Sequence, residues 1–174
     1  TYFMAWTTTP WTLPSNTALC VGPKIDYVLV NTFNPYTAQP ISVVMAEARI
    51  ASYFNPAGAE AAMENYEKGG KILPSRVVAH FKGTDLEGLK YEQLFAYVTP
   101  GEGAFRVILG DYVSTEDGTG IVHIAPTFGA DDAFVAKKAG VPALQLIDKN
   151  GNKRPMVDLK GRFYKLGDLD EEFK

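Results

Sequence analysis

An imidazole, His123, and two adjacent carboxylates, Asp131 and Asp132, fall within the fifteen residues GTGIVHIAPTFGADD (118–132). The Gly118-Thr119-Gly120 turn feeds a strand that carries His123 and breaks at Pro126, which has no N–H for a ladder. A loop with Gly129 follows, and Asp131 and Asp132 open a helix, where the dipole keeps carboxylates ionised. The strand therefore ends in a loop that brings one imidazole and one or two carboxylates near each other. A second stretch, WTTTPWTLPSN (6–16), sets the hydroxyls of Thr7, Thr8 and Thr9 beside Trp11 and Asn16. Threonine and tryptophan suit a strand, while Pro10, Pro14 and Asn16 end it abruptly.

Each of these residues also has a plainer reading. His123 on an apolar strand can be a satisfied, semi-buried histidine. The two aspartates can be ordinary helix-start acids, and the threonines an edge strand with its hydroxyls in water. His80 alternates with apolar neighbours and is expected to face solvent without a role. The two histidines lack metal-ligand spacing, and the single cysteine, Cys20, reads as a small core residue, so no metal site is expected. GTG lacks both the GxGxxG spacing and the Walker Lys-Ser/Thr. No GxSxG elbow supports a nucleophilic serine.

The elements that must position these residues are mostly strands. TALCVGP (17–23), YVLVNT (27–32), ISVVMA (41–46), AFRVILGDYVS (104–114, broken at Gly110) and GIVHIAP (120–126) read as strands. RVVAHFKG (76–83) alternates, with Val77, Ala79 and Phe81 on one face and Val78, His80 and Lys82 on the other. NPAGAEAAMENYEKGG (55–70) and DDAFVAKKAG (131–140) read as helices, the latter with acids at its start, lysines near its end and a Gly stop. KNGN between ALQLID and KRPMV signals a hairpin. Eight or so short strands with two or three short helices predict a β-rich α+β domain with a closed or nearly closed β-barrel core. Regular βαβ alternation is missing, which argues against a doubly wound sheet.

The 174 residues fit one domain with a real core, and 46% apolar with 21% charged residues is the profile of an ordinary soluble globular protein. No apolar run nears the roughly eighteen residues of a membrane span, and no signal peptide is visible. A cytoplasmic setting without membrane contact is the expectation. A net charge of −3 excludes a dedicated nucleic-acid coat but leaves room for a few bases that hold the end of a strand. The chain starts at Thr1, and DLDEEFK (168–174) reads as the first turn of a helix. Residues 1–174 are therefore expected to be one domain excised from a longer protein. The alternative is a boundary of no significance.

Taken together, WTTTPWTLPSN and GTGIVHIAPTFGADD resemble the paired signatures of the editing domain of class I aminoacyl-tRNA synthetases. This is the connective polypeptide 1 insertion of the isoleucyl, valyl and leucyl enzymes. FKGTDLEGLKY (81–91) resembles a further segment of that family, and the likeness spans nearly the whole chain. The HIGH and KMSKS signatures of the aminoacylation site are absent from these residues. Valyl and leucyl enzymes usually carry TTRP where this chain has Thr7-Thr8-Thr9-Pro10, and valyl enzymes usually carry lysine at the position of His123. Both departures point to the isoleucyl branch. TFGADD (127–132) lacks the second histidine of the common bacterial loop and resembles the eukaryotic-type isoleucyl form; Ala133 stands where an aromatic is frequent.

The resemblance implies a deacylase. A missing methylene is worth only about 1–3 kcal/mol of discrimination, a limit for which the isoleucyl enzyme is itself the usual illustration, so a second sieve must remove valine. The implied substrate is the 3′ end of tRNA(Ile) carrying valine, with valyl-adenylate as a further possibility. The implied partners are that tRNA and the remaining domains of the same synthetase. The editing domain needs no cofactor; ATP and Mg serve the missing catalytic domain. An ester is already activated, so a positioned water and oxyanion contacts suffice. The resemblance makes Thr8, Thr9 and Asp132 catalytic: the hydroxyls hold water or amino acid, and Asp132 holds the α-ammonium. Thr7, Trp11, Asn16, His123 and Asp131 are substrate-binding, with Trp11 an apolar wall and Asn16 bonding ligand or loop. His123 is either the pocket wall or the general base. Competing readings are a valyl-type editing domain, a module that binds the aminoacyl end with little turnover, a free-standing deacylase and a structural barrel adaptor.

Overall fold

The computed structural model describes residues 1–64 and 66–174. Among them run strands β1 (Tyr2–Phe3), β2 (Ala18–Val21), β3 (Asp26–Phe33), β4 (Pro40–Ala46), β5 (Arg76–Lys82), β6 (Arg106–Leu109), β7 (Ile121–Ile124), β8 (Leu146–Ile147) and β9 (Lys153–Arg154). Helices α1 (Ile50–Tyr53), α2 (Gly83–Leu86) and α3 (Ala130–Ala139) are joined by several 3-10 turns. The mixed α+β class expected from the sequence is what forms. The chain divides into two compact units, one of Thr1–Trp6, Val21–Leu86 and Leu109–Val122, the other of Thr7–Cys20, Glu87–Ile108 and His123–Lys174.

The first unit is built on a sheet ordered β1-β4-β3-β5. β3 and β4 are antiparallel, with Val28 opposite Met45 and Val30 opposite Val43. These four side chains share a face and, with Phe54, form a buried cluster against Met4, Ile41, Ile50, Tyr53 and Leu73. Burying each such side chain contributes roughly 1.5–3 kcal/mol, which explains why the β-branched runs become strands here. The phenol of buried Tyr27 donates to the Gly120 carbonyl at 2.6 Å and accepts from the Gly22 amide at 2.9 Å. Gly120 has φ +74°, and a Cβ there would lie 2.5 Å from the Ala46 Cβ, so the turn before β7 admits only glycine.

In the second unit α3 has Asp131 and Asp132 in its first turn, Lys137 and Lys138 in its last, and Gly140 at φ +68° as its stop. The charges follow the helix dipole. The Arg106 guanidinium donates to the carbonyls of Gly103, at 3.0 Å, and of Ala139, capping the helix C-terminus. The β8–β9 hairpin turns around Asp148, whose carboxylate accepts from the Asn150 and Asn152 amides at 2.9 Å and from Arg154 Nε at 2.8 Å. That arginine holds the Asp148 carboxyl well below the usual carboxylate range. Leu144, Leu146, Met156 and Leu169 form the local core with Val98, Tyr164 and Phe173.

Several expectations are corrected. The sheets are ordered β1-β4-β3-β5, β6-β2-β7 and β8-β9, and among the described residues none closes on itself, so the expected closed barrel has no support here. Trp6–Asn16 is not a strand: after β1 the chain is irregular to Thr9 and then winds into a 3-10 turn over Pro10–Ser15. Proline at the first turn position favours that turn, since its missing N–H had no partner there. Of the expected helix 55–70, only Pro56–Ala59 winds, as a 3-10 turn capped by Asn55; Asn65 lies outside the described residues. The Gly58 carbonyl is taken by the Ser75 amide and by Arg76 at 3.0 Å, and the Ala61 carbonyl by Arg76 at 2.7 Å. Those tertiary bonds replace the helical ladder. In β5 the pairing with β3 shifts by one residue, so that Val77 faces Val30 while Ala79 faces Leu29. That bulge puts Val77 in the same cross-strand series as His80, and the simple alternation fails. Residues 171–173 form a turn in which the Lys174 amide reaches the Asp170 carbonyl at 3.2 Å, short of a helix.

Candidate active site

The 3-10 turn places Thr12 and Asn16 on either side of one imidazole. Thr12 is held by the turn itself: its amide donates to the Thr9 carbonyl at 3.0 Å and its hydroxyl to the same oxygen at 2.8 Å. Asn16 closes the turn, its amide donating to the Leu13 carbonyl. The Thr17 amide donates to the Ile124 carbonyl at 3.0 Å, which docks this segment beside His123. The ring is buried, with Nε2 2.8 Å from Thr12 Oγ1 and Nδ1 2.9 Å from Asn16 Nδ2.

The tautomer follows from these partners. Asn16 Nδ2 donates to the Ala18 carbonyl at 2.8 Å and lies 3.4 Å from the Ile124 carbonyl, which favours the amide orientation that Tyr91 completes on the oxygen side. Its Oδ1 accepts from the Tyr91 hydroxyl at 2.5 Å. Asn16 Nδ2 is then a donor toward His123 Nδ1, and the hydrogen sits on Nε2. The Thr12 hydroxyl, whose own hydrogen goes to the Thr9 carbonyl, accepts it. Burial pulls the imidazole down to a pKa of about 4, so the ring is neutral across the physiological range. Both nitrogens are bonded within the protein.

Asp132 sits in the first turn of α3 and returns to the end of β7. Its Oδ2 accepts from the Ala125 amide at 2.8 Å, two residues beyond His123. Its Oδ1 has no hydrogen-bond partner among the described residues. Burial raises its pKa; the Ala125 N–H opposes that and the neighbouring Asp131 adds to it. Asp131 is exposed.

The threonine row divides. Thr7 Oγ1 accepts from the Thr9 amide at 3.0 Å and lies 3.3 Å from Thr9 Oγ1. Thr9 Oγ1 is 3.4 Å from Thr12 Oγ1. Thr8 is exposed, and no described group bonds its hydroxyl. Trp11 is half exposed, its Cβ against Gly161. Thr12 and Tyr91 were not among the residues singled out in the sequence. Thr12 lies inside WTTTPWTLPSN, and Tyr91 closes FKGTDLEGLKY, so position within the two stretches was the available signal.

A cavity of about 700 Å³ opens elsewhere in the same unit, lined by Asp148, Arg154, Asp158, Arg162, Phe163 and Tyr164 among others. It includes none of the residues above. Its charges are turn-builders: Asp158 takes the Arg162 guanidinium at 2.8 Å, as Asp148 takes Arg154. Among the described residues no three His, Cys, Asp or Glu side chains gather to hold a metal, and no helix is long and apolar enough to cross a membrane.

Solved structures with this fold include a Plasmodium falciparum cytosolic leucyl-tRNA synthetase editing domain. It has a TM-score of 0.56 and 18% identity, over 79% of this chain and 47% of that one. The connective polypeptide 1 segment of another leucyl-tRNA synthetase gives a TM-score of 0.51 at 18% identity, over 79% of this chain and 49% of that one. The fold is that of the connective polypeptide 1 editing domains of class I aminoacyl-tRNA synthetases. In sequence, the chain is 68% identical over 172 residues to an isoleucine–tRNA ligase of Bacteroides fragilis, covering 99% of this chain and 15% of that protein. It is 62% identical over 173 residues to the isoleucine–tRNA ligase of Porphyromonas gingivalis, covering 99% and 15%. Its close homologues are thus isoleucine–tRNA ligases, and the chain spans about 15% of their length. These relatives are bacterial. No protein-family model matches the chain.

Proposed function

We propose that this chain hydrolyses valine from the 3′ end of tRNA(Ile), as the editing domain of an isoleucyl-tRNA synthetase. The observation that carries the reading is Asp132: one carboxylate oxygen is tied to the Ala125 amide at the end of the His123 strand, and the other is left to accept. A fixed, half-used carboxylate is suited to an α-ammonium, which it both binds and orients. The half-exposed Trp11 ring and the carbon edge of His123 supply an apolar boundary that admits valine and crowds isoleucine. The unpartnered Thr8 hydroxyl, with Thr9 beside it, is free to hold water at the ester carbonyl. Water adds to the carbonyl carbon and gives up a proton to solvent, the tetrahedral oxyanion collapses, the bond to the ribose oxygen breaks, and that oxygen takes a proton from solvent, releasing valine as its carboxylate. His123 is the wall in this scheme, since a ring with Nε2 protonated and Nδ1 already accepting has no lone pair to offer.

Valyl-adenylate is a second substrate of the same pocket. The tRNA and the rest of the synthetase are the partners, and the cytoplasm is the setting. A deacylation assay with valyl- and isoleucyl-tRNA(Ile), run with the chain alone and with the whole synthetase, tests the reading. Valine release with isoleucine spared supports it. Equal release of both amino acids, or release of neither by the whole enzyme, overturns it.

A further inference from the structure

We infer that Tyr91 is a positioning residue of this site: its hydroxyl, 2.5 Å from Asn16 Oδ1, holds the Asn16 amide so that His123 keeps its hydrogen on Nε2 and presents only carbon to the pocket. The inference rests on the proposed role of His123 as wall, and it names a residue outside the two signature stretches that controls that wall.

The geometry is a line of three buried or half-buried groups. Tyr91 is delivered by backbone pairing alongside β6: the Gly88 amide donates to the Val107 carbonyl, the Val107 amide to Leu89, and the Tyr91 amide to the Phe105 carbonyl, each at 2.9 Å. Its ring packs edge-on to Phe105, with centroids 5.8 Å apart and planes at 72°. That packing holds the phenol oxygen at Asn16 Oδ1. Its hydrogen goes to Asn16 Oδ1, and burial strengthens its hold on that hydrogen. Asn16 is thereby fastened at both ends, by the Ala18 carbonyl on the nitrogen side and by Tyr91 on the oxygen side. Were the amide to flip, its oxygen would face His123 Nδ1 and call for a hydrogen there. Nε2 would then become an acceptor beside a Thr12 hydroxyl already committed to the Thr9 carbonyl. The wall would gain a lone pair, and a buried clash of acceptors would open the turn.

Nitrogen-15 NMR of His123 in the chain reads the tautomer directly. The wild type must show a single neutral form with Nε2 protonated; an Nδ1-protonated form would overturn the inference without any variant. Tyr91→Phe keeps the ring and its packing on Phe105 but removes the hydroxyl. The expected result is a second tautomer growing in, with the Nδ1 and Nε2 shifts drawn toward each other, while the fold signals of β6 and β7 stay in place. A His123 pattern identical to wild type overturns the inference. In the whole synthetase the same variant should lose about fivefold in valyl-tRNA deacylation, the worth of one neutral hydrogen bond. It should also shift the valine-to-isoleucine ratio. A tautomer shift with that ratio unchanged keeps Tyr91 as the positioning group and counts against the wall instead, so the two readings fail separately.

Discussion

Asn16 Nδ2 stands 2.9 Å from Nδ1 of His123, and the direction of that one hydrogen bond decides what the imidazole offers to a ligand. With Nδ1 accepting and Nε2 donating to Thr12, neither ring nitrogen is left over to act as a base, which is why His123 is proposed as the wall.

His123→Ala should therefore widen the substrate range. Removal of the ring makes room for the extra methylene, so isoleucyl-tRNA(Ile) begins to be deacylated while part of the valyl activity survives. The ratio of the two rates should move by about tenfold or more, the scale of one methylene in an apolar pocket. Rates measured in the whole synthetase check this. Loss of both activities with no change in their ratio would reject the wall and favour a base.

One Asp132 oxygen is tied to the Ala125 amide and the other is the proposed ammonium acceptor, and two substitutions separate the two. Asp132→Asn keeps an oxygen for the Ala125 amide but removes the charge; Asp132→Ala removes both. Both should cut deacylation by about tenfold to a hundredfold. Only the alanine variant should also lose stability, by about 1 kcal/mol in a urea titration. Asp131→Ala should be near wild type. Reversed ranks for the two aspartates would place the ammonium anchor one residue earlier.

The three threonines should respond differently. Thr8→Ala removes an unpartnered, exposed hydroxyl, so turnover falls while stability holds, and Thr8→Ser restores turnover. Thr7→Ala releases the Thr9 amide, so its effect should fall on stability and, through the loop, on substrate binding. Kinetics with parallel thermal melts distinguish the cases; small equal effects at all three positions would leave the row without a role.

Burial lowers the His123 pKa from 6.5 to about 4, so the unfolded chain takes up this proton first as pH falls. The contribution to stability is complete above pH 6.5 and is lost progressively down to about pH 4, amounting to roughly 3 kcal/mol. His123→Gln should flatten that part of the stability profile. Deacylation should show no imidazole titration near neutrality. Its acid limb should belong to Asp132, whose carboxyl must be ionised and whose pKa lies above the ordinary carboxylate value.

Gly120→Ala tests the first unit. The new methyl meets Ala46 Cβ at 2.5 Å on a backbone of φ +74°, so strain and overpacking combine to about 3 kcal/mol of destabilisation. A thermal melt unchanged from wild type would mean the turn before β7 can rearrange.

The sequence by itself determined the parts that depend on neighbouring residues. Runs such as ISVVMA became β4, and DDAFVAKKAG became α3, because β-branching, helix-end charges and a glycine stop act over a few residues. It also carried the family likeness, and with it the residues to look at; in the structure His123 bonds Asn16, and Asp132 bonds the Ala125 amide at the end of the same strand. What it could not give were outcomes settled by atoms far along the chain. Residues 55–70 have good helix formers, but Ser75 and Arg76 claim the carbonyls of Gly58 and Ala61, and the ladder is lost. Strand-like threonines and tryptophans in Trp6–Asn16 yield to a 3-10 turn whose hydroxyl and amide groups find partners there. The proposed role of His123 rests on Thr12, Asn16 and Tyr91, which lie 111, 107 and 32 residues away in sequence. A tautomer is fixed by which groups donate at a ring's two nitrogens, and only the tertiary structure brings those donors and acceptors to the ring.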